Sequence, residues 1–467
     1  MMIALTAALA IVVQDHAPLR AAPRSSARQL TELVQGDVLE VRGERGDYLK
    51  VYEYHRERGG YIRRQLAAPI GVGEADAPAL LVVLRFLREI PGSESLGISY
   101  GAAYLKAAAP RDLTAEPFDA IARMAERLAE AASGNAAHPG DVAAHVEVVE
   151  QFGIHMRSLE RNGRMQVCYD GELFRRVLAL DTATPEQRAH AALGLTRPDC
   201  IDPDMGPVPR AALDSYRSEL LDRIEERGLT AITRSRLHAR RASVYASVAY
   251  EQARRREAPA SAAQRALNEL LSVHVDELGD DRRAEYADAA LRVGAIRWAR
   301  SVPVMQSGPW SLSAAPGDPG QTCIVLAEAS RQRPTPLVRR CTYGIAWLAS
   351  AQTIPDAHAL VLAVQPLESW LELWVFRERA GGWVIDVLSP GYDEPEEGYV
   401  EFAGFVRRTR RLLVVREVKE HGRFHRRFEE LGIADLTHVR EASTPELLPD
   451  FGRYQDAGWR RDTLALR

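Results

Sequence analysis

The chain has 467 residues, of which 46% are hydrophobic and 27% charged, and its formal net charge is −4. This length predicts about two to four domains with buried cores. The small negative charge disfavours nucleic acid and anionic membranes as partners, and no apolar run beyond the N-terminus is long enough for a transmembrane segment.

Residues 1–13 are apolar except for Thr6 and include no basic residue. Ala8-Leu9-Ala10 has the small-x-small pattern of a signal-peptidase site, although the apolar run is short and a basic n-region is missing. We therefore predict that residues 1–10 are the truncated end of a signal segment, and that the protein is exported to the periplasm. The alternative is an ordinary first β-strand.

Residues 11–67 contain short stretches of β-forming residues separated by turn residues. The turns are predicted at Gln35-Gly36-Asp37, at Gly43 to Asp47 and at Glu57 to Gly60. Short strands at this spacing are typical of a small all-β barrel.

This stretch resembles the bacterial SH3 family. The residues that carry the resemblance are Leu19-Arg20-x-x-Pro23, Gly36 before a Val-x-x-Val strand, Tyr48-x-Lys50-Val51, and Gly60-Tyr61-Ile62 before Leu66. Tyr48 and Tyr61 stand where the family usually has tryptophan. The resemblance implies a binding module of the kind often found on proteins that work near the cell wall; the alternative is a spacer domain.

Alternation along the strand that starts at Tyr48 separates its residues into two faces. Leu49 and Val51 are the better core candidates, so the tyrosines on the other face are predicted to point outward. Exposed tyrosines offer a large contact area and lose little rotamer entropy on binding. The predicted binding residues are Tyr48, Tyr52, Tyr54 and Tyr61.

A Gly/Ala/Pro-containing linker at residues 67–78 precedes a region in which the apolar periodicity is helical. Thr114 and Asp141 are predicted N-caps, and the helix that starts at Asp141 is predicted to end at Asn162-Gly163. Thr184-Pro185 predicts the start of another helix. We expect residues 78–300 to form an irregular α-helical bundle, with a helical-repeat solenoid as the alternative.

Residues 301–467 include six of the seven tryptophans and read as a series of strands. Residues 399–436 are similar to one blade of a TolB-type or WD40-like β-propeller, but have Arg407-Arg408-Thr409-Arg410 at the first turn. About ten strands are too few for a closed propeller, so we predict an antiparallel β-rich domain with blade-like units. The predicted fold class is multidomain α+β: an SH3-like β-barrel, a helical bundle and this β-rich domain.

The four cysteines are Cys168, Cys200, Cys323 and Cys341, and their spacing does not fit a zinc site. Two local disulfides, 168–200 and 323–341, would each stabilise the fold by roughly 3 kcal/mol. Disulfides would agree with export; the alternative is four buried thiols.

Two motifs could carry chemistry. Gly97-Ile98-Ser99-Tyr100-Gly101 matches the nucleophile elbow of hydrolases, but lacks a core strand before it, so we favour a loop that enters a helix over Tyr100–Ala108. Asp199, Asp202 and Asp204 could hold calcium, but a proline-stiffened, disulfide-tethered turn is the preferred interpretation.

These patterns predict a periplasmic binding or scaffolding protein rather than an enzyme. We expect the SH3-like module to bind a peptidoglycan-derived peptide or an envelope protein, with no cofactor, no metal and no nucleic acid. The alternative function is an envelope hydrolase acting on wall peptides or glycans, with Ser99 or the carboxylates near Cys200 as catalytic candidates.

Overall fold

The structure is a computed structural model that describes residues 8–134, 139–161, 163–278, 280–301, 309–329, 335–391, 397–420 and 423–464. The chain divides into two compact units. The first contains Met1–Met205 with Arg223–Leu229, and the second contains Gly206–Asp222 with Thr230–Arg467. The helices predicted as one bundle over 78–300 are therefore shared between the two units.

The first unit starts with a seven-stranded antiparallel sheet. Its strands are β1 (Ala8–Val12), β2 (Ala17–Arg20), β3 (Gln29–Leu33), β4 (Val38–Arg45), β5 (Tyr48–Glu53), β6 (Arg58–Arg63) and β7 (Ala67–Ile70). They are hydrogen bonded in the order β3-β2-β6-β5-β4-β1-β7. All seven contribute to one apolar core that includes Leu19, Leu49 and Ile62, so the sheet curls around it. The sheet is not closed, because β3 and β7 are its two edges, and the predicted barrel is present only as this curled sheet.

Strand β1 overlaps the predicted signal segment. Ala8 pairs with Val41 of β4, and Leu9 pairs with Ile70 of β7, so β1 has neighbours on both sides. Removal of residues 1–10 would take away Ala8, Leu9 and Ala10, most of a strand that lies between β4 and the edge strand β7. Ala8–Val12 forms a β-strand, as the alternative interpretation predicted. Residues 1–7 lie outside the described residues.

Six helices and a β-hairpin complete the first unit. They are α1 (Ala77–Arg88), α2 (Glu94–Ala107), α3 (Ala115–Ser133), α4 (Pro139–Glu150), β8 (Met156–Arg161), β9 (Arg164–Tyr169), α5 (Glu172–Ala179) and α6 (Pro185–Leu195). Thr114 caps α3 as predicted, and Thr184 forms a capping box with Gln187 at the start of α6.

The helix predicted from Asp141 to Asn162 is wrong in its second half. Helix α4 already begins at Pro139 and ends at Glu150, and Gly153 follows it with φ of +77°. Met156–Arg161 then pairs with Arg164–Tyr169 across a turn in which Gly163 has φ of +71°. These left-handed glycines allow the chain to leave the helix and to reverse direction in the hairpin, although the apolar residues here also repeat with a helical period. Asn162 lies outside the described residues.

The described part of the second unit has four α-helices, then twelve strands, then two short α-helices. They are α7 (Pro207–Asp222), α8 (Ala231–Arg254), α9 (Ala260–Leu271), α10 (Asp280–Ala295), β10 (Trp310–Pro316), β11 (Thr322–Glu328), β12 (Pro336–Thr342), β13 (Ile345–Ala346), β14 (Gln352–Ile354), β15 (Ala359–Leu367), β16 (Trp370–Arg379), β17 (Gly382–Leu388), β18 (Gly398–Val406), β19 (Arg411–Glu420), β20 (Arg423–Gly432), β21 (His438–Ala442), α11 (Pro449–Tyr454) and α12 (Ala457–Leu464).

A nine-stranded sheet organises this unit. Strands β18 to β21 form an antiparallel meander, but β18 also pairs in parallel with β16 through Trp370 and Leu371, so the meander is part of a larger sheet. The blade-like units are therefore not confirmed. One face of the sheet packs on α8, α9 and α10 around Leu371 and Tyr399, and β15 and β16 also pack on the small sheet β10-β11-β12.

A row of seven alternating charges joins the helices of the second unit to its sheet. Its salt bridges are 2.6–3.1 Å long. We call it the charge row; its members, in order of contact, are Asp214, Arg210, Glu368, Arg292, Glu397, Lys419 and Asp288. The row links α7, α10 and β19, which explains why these helices belong with the sheet rather than with α1 to α6.

Asp288, at the end of the charge row, should make stability depend on pH. Burial and the neighbouring Glu397 carboxylate raise the pKa of Asp288 to about 7, from 3.8 in the unfolded chain. Between these values the folded protein holds a proton that the unfolded chain has released, so this group makes the free energy of unfolding fall as pH rises. The melting temperature of Asp288→Asn relative to that of the wild type should therefore rise from about pH 4 to about pH 7 and change little above that.

Tryptophan fluorescence can follow this melting, because all seven tryptophans belong to the second unit. Asp318→Asn, which changes an exposed carboxylate in the same unit, is the control. Parallel pH curves for Asp288→Asn and the wild type would contradict the prediction.

Candidate functional site

Strand β5 alternates between the core and the surface of the N-terminal sheet. Leu49 and Val51 are 0% and 1% exposed and lie in the core. Tyr48, Lys50 and Tyr52 point to the opposite side, as the alternation predicts. We call this side the outer face; with its neighbours from adjacent strands it consists of Arg20, Glu40, Arg42, Arg45, Tyr48, Lys50, Tyr52, Tyr54, Tyr61 and Arg63.

Tyr52 and Tyr54 form an aromatic corner at one end of the outer face. Their ring centroids are 4.9 Å apart in an edge-on arrangement, and Tyr54 is 63% exposed. The Tyr54 hydroxyl donates to Glu40 at 3.0 Å, and Arg42 Nε donates to the same oxygen at 2.7 Å. The Arg42 guanidinium also lies 4.1 Å from the centroid of the Tyr52 ring. These contacts order both rings and leave the corner electrically neutral.

The same contacts act on the Glu40 carboxyl. Hydrogen bonds from Arg42 and Tyr54 lower its pKa below the ordinary value, so it stays ionised near neutral pH. An ionised Glu40 is the acceptor that both donors need. The corner is thus preorganised before any ligand arrives, which reduces the entropy cost of binding.

Tyr61 and Tyr48 occupy different positions on the outer face. Tyr61 is half-buried and lies directly between Lys50 and Arg20 in the strand register. Tyr48 is only 7% exposed, and its hydroxyl accepts a hydrogen bond of 3.2 Å from Arg63 Nε. The prediction that the Tyr48 side chain is exposed is therefore wrong, because Arg63 and the neighbouring strands cover it.

A buried ion cluster supports the turn that carries Tyr54. The Glu53 carboxylate is buried and accepts the backbone N–H groups of His55 and Arg56 at 2.7 and 2.6 Å. Arg56 Nη1 donates to Asp37 at 3.1 Å. Burial raises the pKa of Asp37, whereas the Val34 N–H and Arg56 act in the opposite direction. The cluster ties the turns after β3 and β5 together and so positions Tyr54.

The sequence alone did not identify the polar partners of the tyrosines. These partners are Glu40, Arg42 and Arg63. They reach the tyrosines from neighbouring strands, so their positions depend on the register of β4, β5 and β6. The predicted turn was a usable signal for one pair, because a hairpin closed there can pair Arg45 with Tyr48. The pairing of Glu40 with Tyr52 also needs the β-bulge between Val41 and Gly43, which shifts the register by one residue.

A comparison with protein families identifies this part of the chain. The family model described as "Bacterial SH3 domain" matches residues 15–66, which include the entire outer face. Residues 15–66 are a bacterial SH3 domain. No curated protein and no solved structure matches the chain. The predicted SH3 resemblance is thus confirmed, whereas the propeller similarity of residues 399–436 is not.

The cysteines pair as predicted. Cys168 of β9 is bonded to Cys200, with Cα atoms 5.7 Å apart, and Cys323 is bonded to its cross-strand neighbour Cys341. Disulfides persist mainly in oxidising compartments. Together with the SH3 domain they are compatible with an extracellular or envelope location. Within the described residues, no helix is long and apolar enough to cross a membrane.

Ser99 does not lie on a nucleophile elbow. It is 1% exposed inside α2, which starts before the motif at Glu94, so the expected loop is also wrong. Its Oγ donates to the Gly36 carbonyl of the SH3 domain at 2.7 Å. A Cβ at Gly97 would overlap Met124 of α3, so this glycine permits close helix packing. The motif thus joins α2 to its neighbours, and the hydrolase alternative loses this candidate nucleophile.

The aspartates near Cys200 bind neighbouring groups of the protein. Asp199 pairs with Arg197 and accepts from Gln166 Nε2 at 3.1 Å, and Asp202 accepts the Asp204 N–H at 2.9 Å. In the parts of the chain that the structure describes, no group of three or more His, Cys, Asp or Glu side chains could hold a metal ion. The segment is a short turn tied to β9 by the disulfide.

Proposed function

We propose that this protein is an exported, non-enzymatic binding protein of the periplasm, and that the outer face of its SH3 domain binds a peptidoglycan-derived peptide or an envelope protein. The preorganised Tyr52–Tyr54 corner carries the proposal. Tyr54 is largely exposed although it is aromatic, and its contacts with Glu40 and Tyr52 hold it in place. Ordered, exposed tyrosines dominate many binding surfaces, because they combine a large contact area with little entropy to lose.

The remaining structure supports a scaffolding role. Helix α2 is attached to the SH3 domain by hydrogen bonds from Ser95 and Ser99 to the carbonyl groups of Gln35 and Gly36. The two carbonyl groups belong to the turn after β3, which is not part of the outer face, and the outer-face residues Arg45, Lys50 and Tyr54 are exposed. In this proposal the SH3 domain attaches the protein to the wall, and the helical and β-rich parts engage other partners.

Cosedimentation of the full chain with purified cell-wall sacculi tests the proposal. Tyr52→Ala and Tyr54→Ala should each weaken binding by about five- to thirtyfold, because each removes ring contacts worth about 1–2 kcal/mol. Both variants should melt close to the wild type. Val51→Ala should instead destabilise the SH3 domain by about 1–3 kcal/mol through lost burial.

Tyr343→Ala is the matched control, because Tyr343 is 62% exposed but belongs to the second unit. It should bind sacculi like the wild type. Binding that survives both tyrosine substitutions would show that the outer face is not the binding site. Wild-type protein that stays in the supernatant would reject the wall ligand itself.

A further inference from the structure

The outer face carries more positive than negative charge. Its cations are Arg20, Arg42, Arg45, Lys50 and Arg63, and its only carboxylate is Glu40, which is paired with Arg42. Among the described residues, no carboxylate lies within ion-pair distance of the other four cations. Asp47 attracts Arg63 only at longer range. The aromatic corner is therefore neutral, and the rest of the face is positive.

The positive charges lie next to aromatic rings in an ordered pattern. Lys50 of β5 is exposed and pairs in register with Tyr61 of β6, which in turn pairs with Arg20 of β2. Directly opposite residues have Cβ atoms about 4.5–5.5 Å apart, so these three side chains are immediate neighbours. The next row contains Arg45 of β4, Tyr48 of β5 and Arg63 of β6.

We infer that the outer face recognises an acidic peptide whose carboxylates bind the Arg20–Tyr61–Lys50 row while its side chains contact Tyr52 and Tyr54. This inference rests on the proposed function of the same face and adds the charge of the ligand. Arg20 Nη1 donates to the Ala27 carbonyl at 3.0 Å, which holds this guanidinium in place but leaves its charge without a carboxylate. Guanidinium and ammonium groups form charge-assisted hydrogen bonds with carboxylates, and cations without a carboxylate partner beside ordered rings give such bonds a fixed place.

The observations favour a peptide over a nucleic acid. A nucleic acid presents a continuous series of phosphates, and the neutral aromatic corner, where Arg42 is already paired with Glu40, offers them no unpaired cation. The net charge of the chain, −4, repels any anionic ligand, and it repels a nucleic acid with one charge per phosphate more strongly than a short peptide with few carboxylates. A peptide can place its carboxylates over the cationic row and an uncharged segment over the corner.

Two probe pairs test the inference on the full chain. One pair is a tetraglutamate peptide with a neutral dye and its tetraglutamine counterpart, and the other is sacculi with native or carbodiimide-amidated carboxylates. The wild type should bind the acidic member of each pair about tenfold more tightly, and added salt should weaken that preference. Lys50→Glu should abolish the preference, and Lys50→Gln should reduce it. Lys106→Glu, at an exposed site on α2, should change neither.

The outcomes separate this inference from the proposed function. Equal binding of tetraglutamate and tetraglutamine, or an unchanged preference in Lys50→Glu, would overturn the acidic ligand even if Tyr54-dependent binding to sacculi persists. Lys50-dependent binding of tetraglutamate without binding to sacculi would support the acidic ligand and reject the wall. Tighter binding of a short oligothymidine than of tetraglutamate would assign the face to nucleic acid and overturn the inference.

Discussion

Replacing Arg292 by methionine is expected to lower the free energy of unfolding of the second unit by about 3–5 kcal/mol. Arg292 is 7% exposed and bridges Glu368 and Glu397 at 2.7 and 2.9 Å in the centre of the charge row. Without Arg292, the carboxylates of Glu368 and Glu397 each keep only one salt-bridge partner in the charge row. Removing one partner of a buried ion pair costs far more than the pair contributes, because the remaining charge stays desolvated.

The loss of unfolding free energy in Arg292→Met should depend on pH. Burial would raise the pKa of Glu368, but the Arg292 and Arg210 guanidiniums lower it to about 2. With Arg292 absent, Arg210 still lowers the pKa of Glu368 but the contribution of Arg292 is lost, so this pKa rises and mild acid neutralises a larger fraction of the carboxylate than in the wild type. The difference in unfolding free energy between the variant and the wild type should therefore be larger near about pH 8 than near about pH 5.

Urea unfolding followed by tryptophan fluorescence measures this effect in the second unit. Arg255→Met is the matched control, because Arg255 forms an exposed pair with Glu257 and should cost less than about 1 kcal/mol. A loss below about 1 kcal/mol for Arg292→Met would show that the charge row contributes little to holding the helices on the sheet.

Gly36→Ala is expected to destabilise the first unit by about 2–4 kcal/mol. Gly36 has φ of +96°, and a Cβ there would lie 2.8 Å from the backbone oxygen of Ser95 in α2. Backbone atoms cannot move aside as a flexible side chain can, so α2 would have to separate from the SH3 domain. The hydrogen bond from Ser99 to the Gly36 carbonyl would be lost with it.

Gly46→Ala separates the cost of placing alanine at a positive φ from the cost of the steric contact with α2. Gly46 also has a positive φ, +56°, but no described atom lies within 4 Å of a Cβ placed there. It should cost only about 1 kcal/mol, the conformational part of the effect. Far-UV circular dichroism follows the melting of both units, whereas tryptophan fluorescence follows only the second. The variants should therefore shift the circular dichroism transition that is absent from the fluorescence curve, and leave the fluorescence transition unchanged. Equal losses in the two variants would mean that the contact between Gly36 and α2 is unimportant.

The helical GxSxG motif shows where sequence patterns mislead. Gly97, Ser99 and Gly101 have the spacing of a catalytic turn, but the same spacing also places small residues on the surface of a helix. Gly97 and Gly101 face α3, and Ser99 faces the SH3 domain. Only the packing partners distinguish the two cases, and those partners are distant in sequence.

The sequence by itself determined what depends on near neighbours in the chain. The SH3 signature, the caps at Thr114 and Thr184, and the core assignment of Leu49 and Val51 follow from alternation, turn chemistry and local hydrogen bonds. The disulfides were accessible because each joins cysteines close in sequence, 32 and 18 residues apart.

The tertiary structure decided what depends on distant partners. The hairpin after α4, the placement of α7 to α10 with the β-rich sheet and the partners of the tyrosines all require strand register or helix packing. The charge row is the strongest case, because Arg292 and Glu397 lie 105 residues apart. An arginine in a helix has the same local pattern whether it is solvated or buried. Its role is set by which carboxylates the folded chain brings to it, and no local pattern encodes that choice.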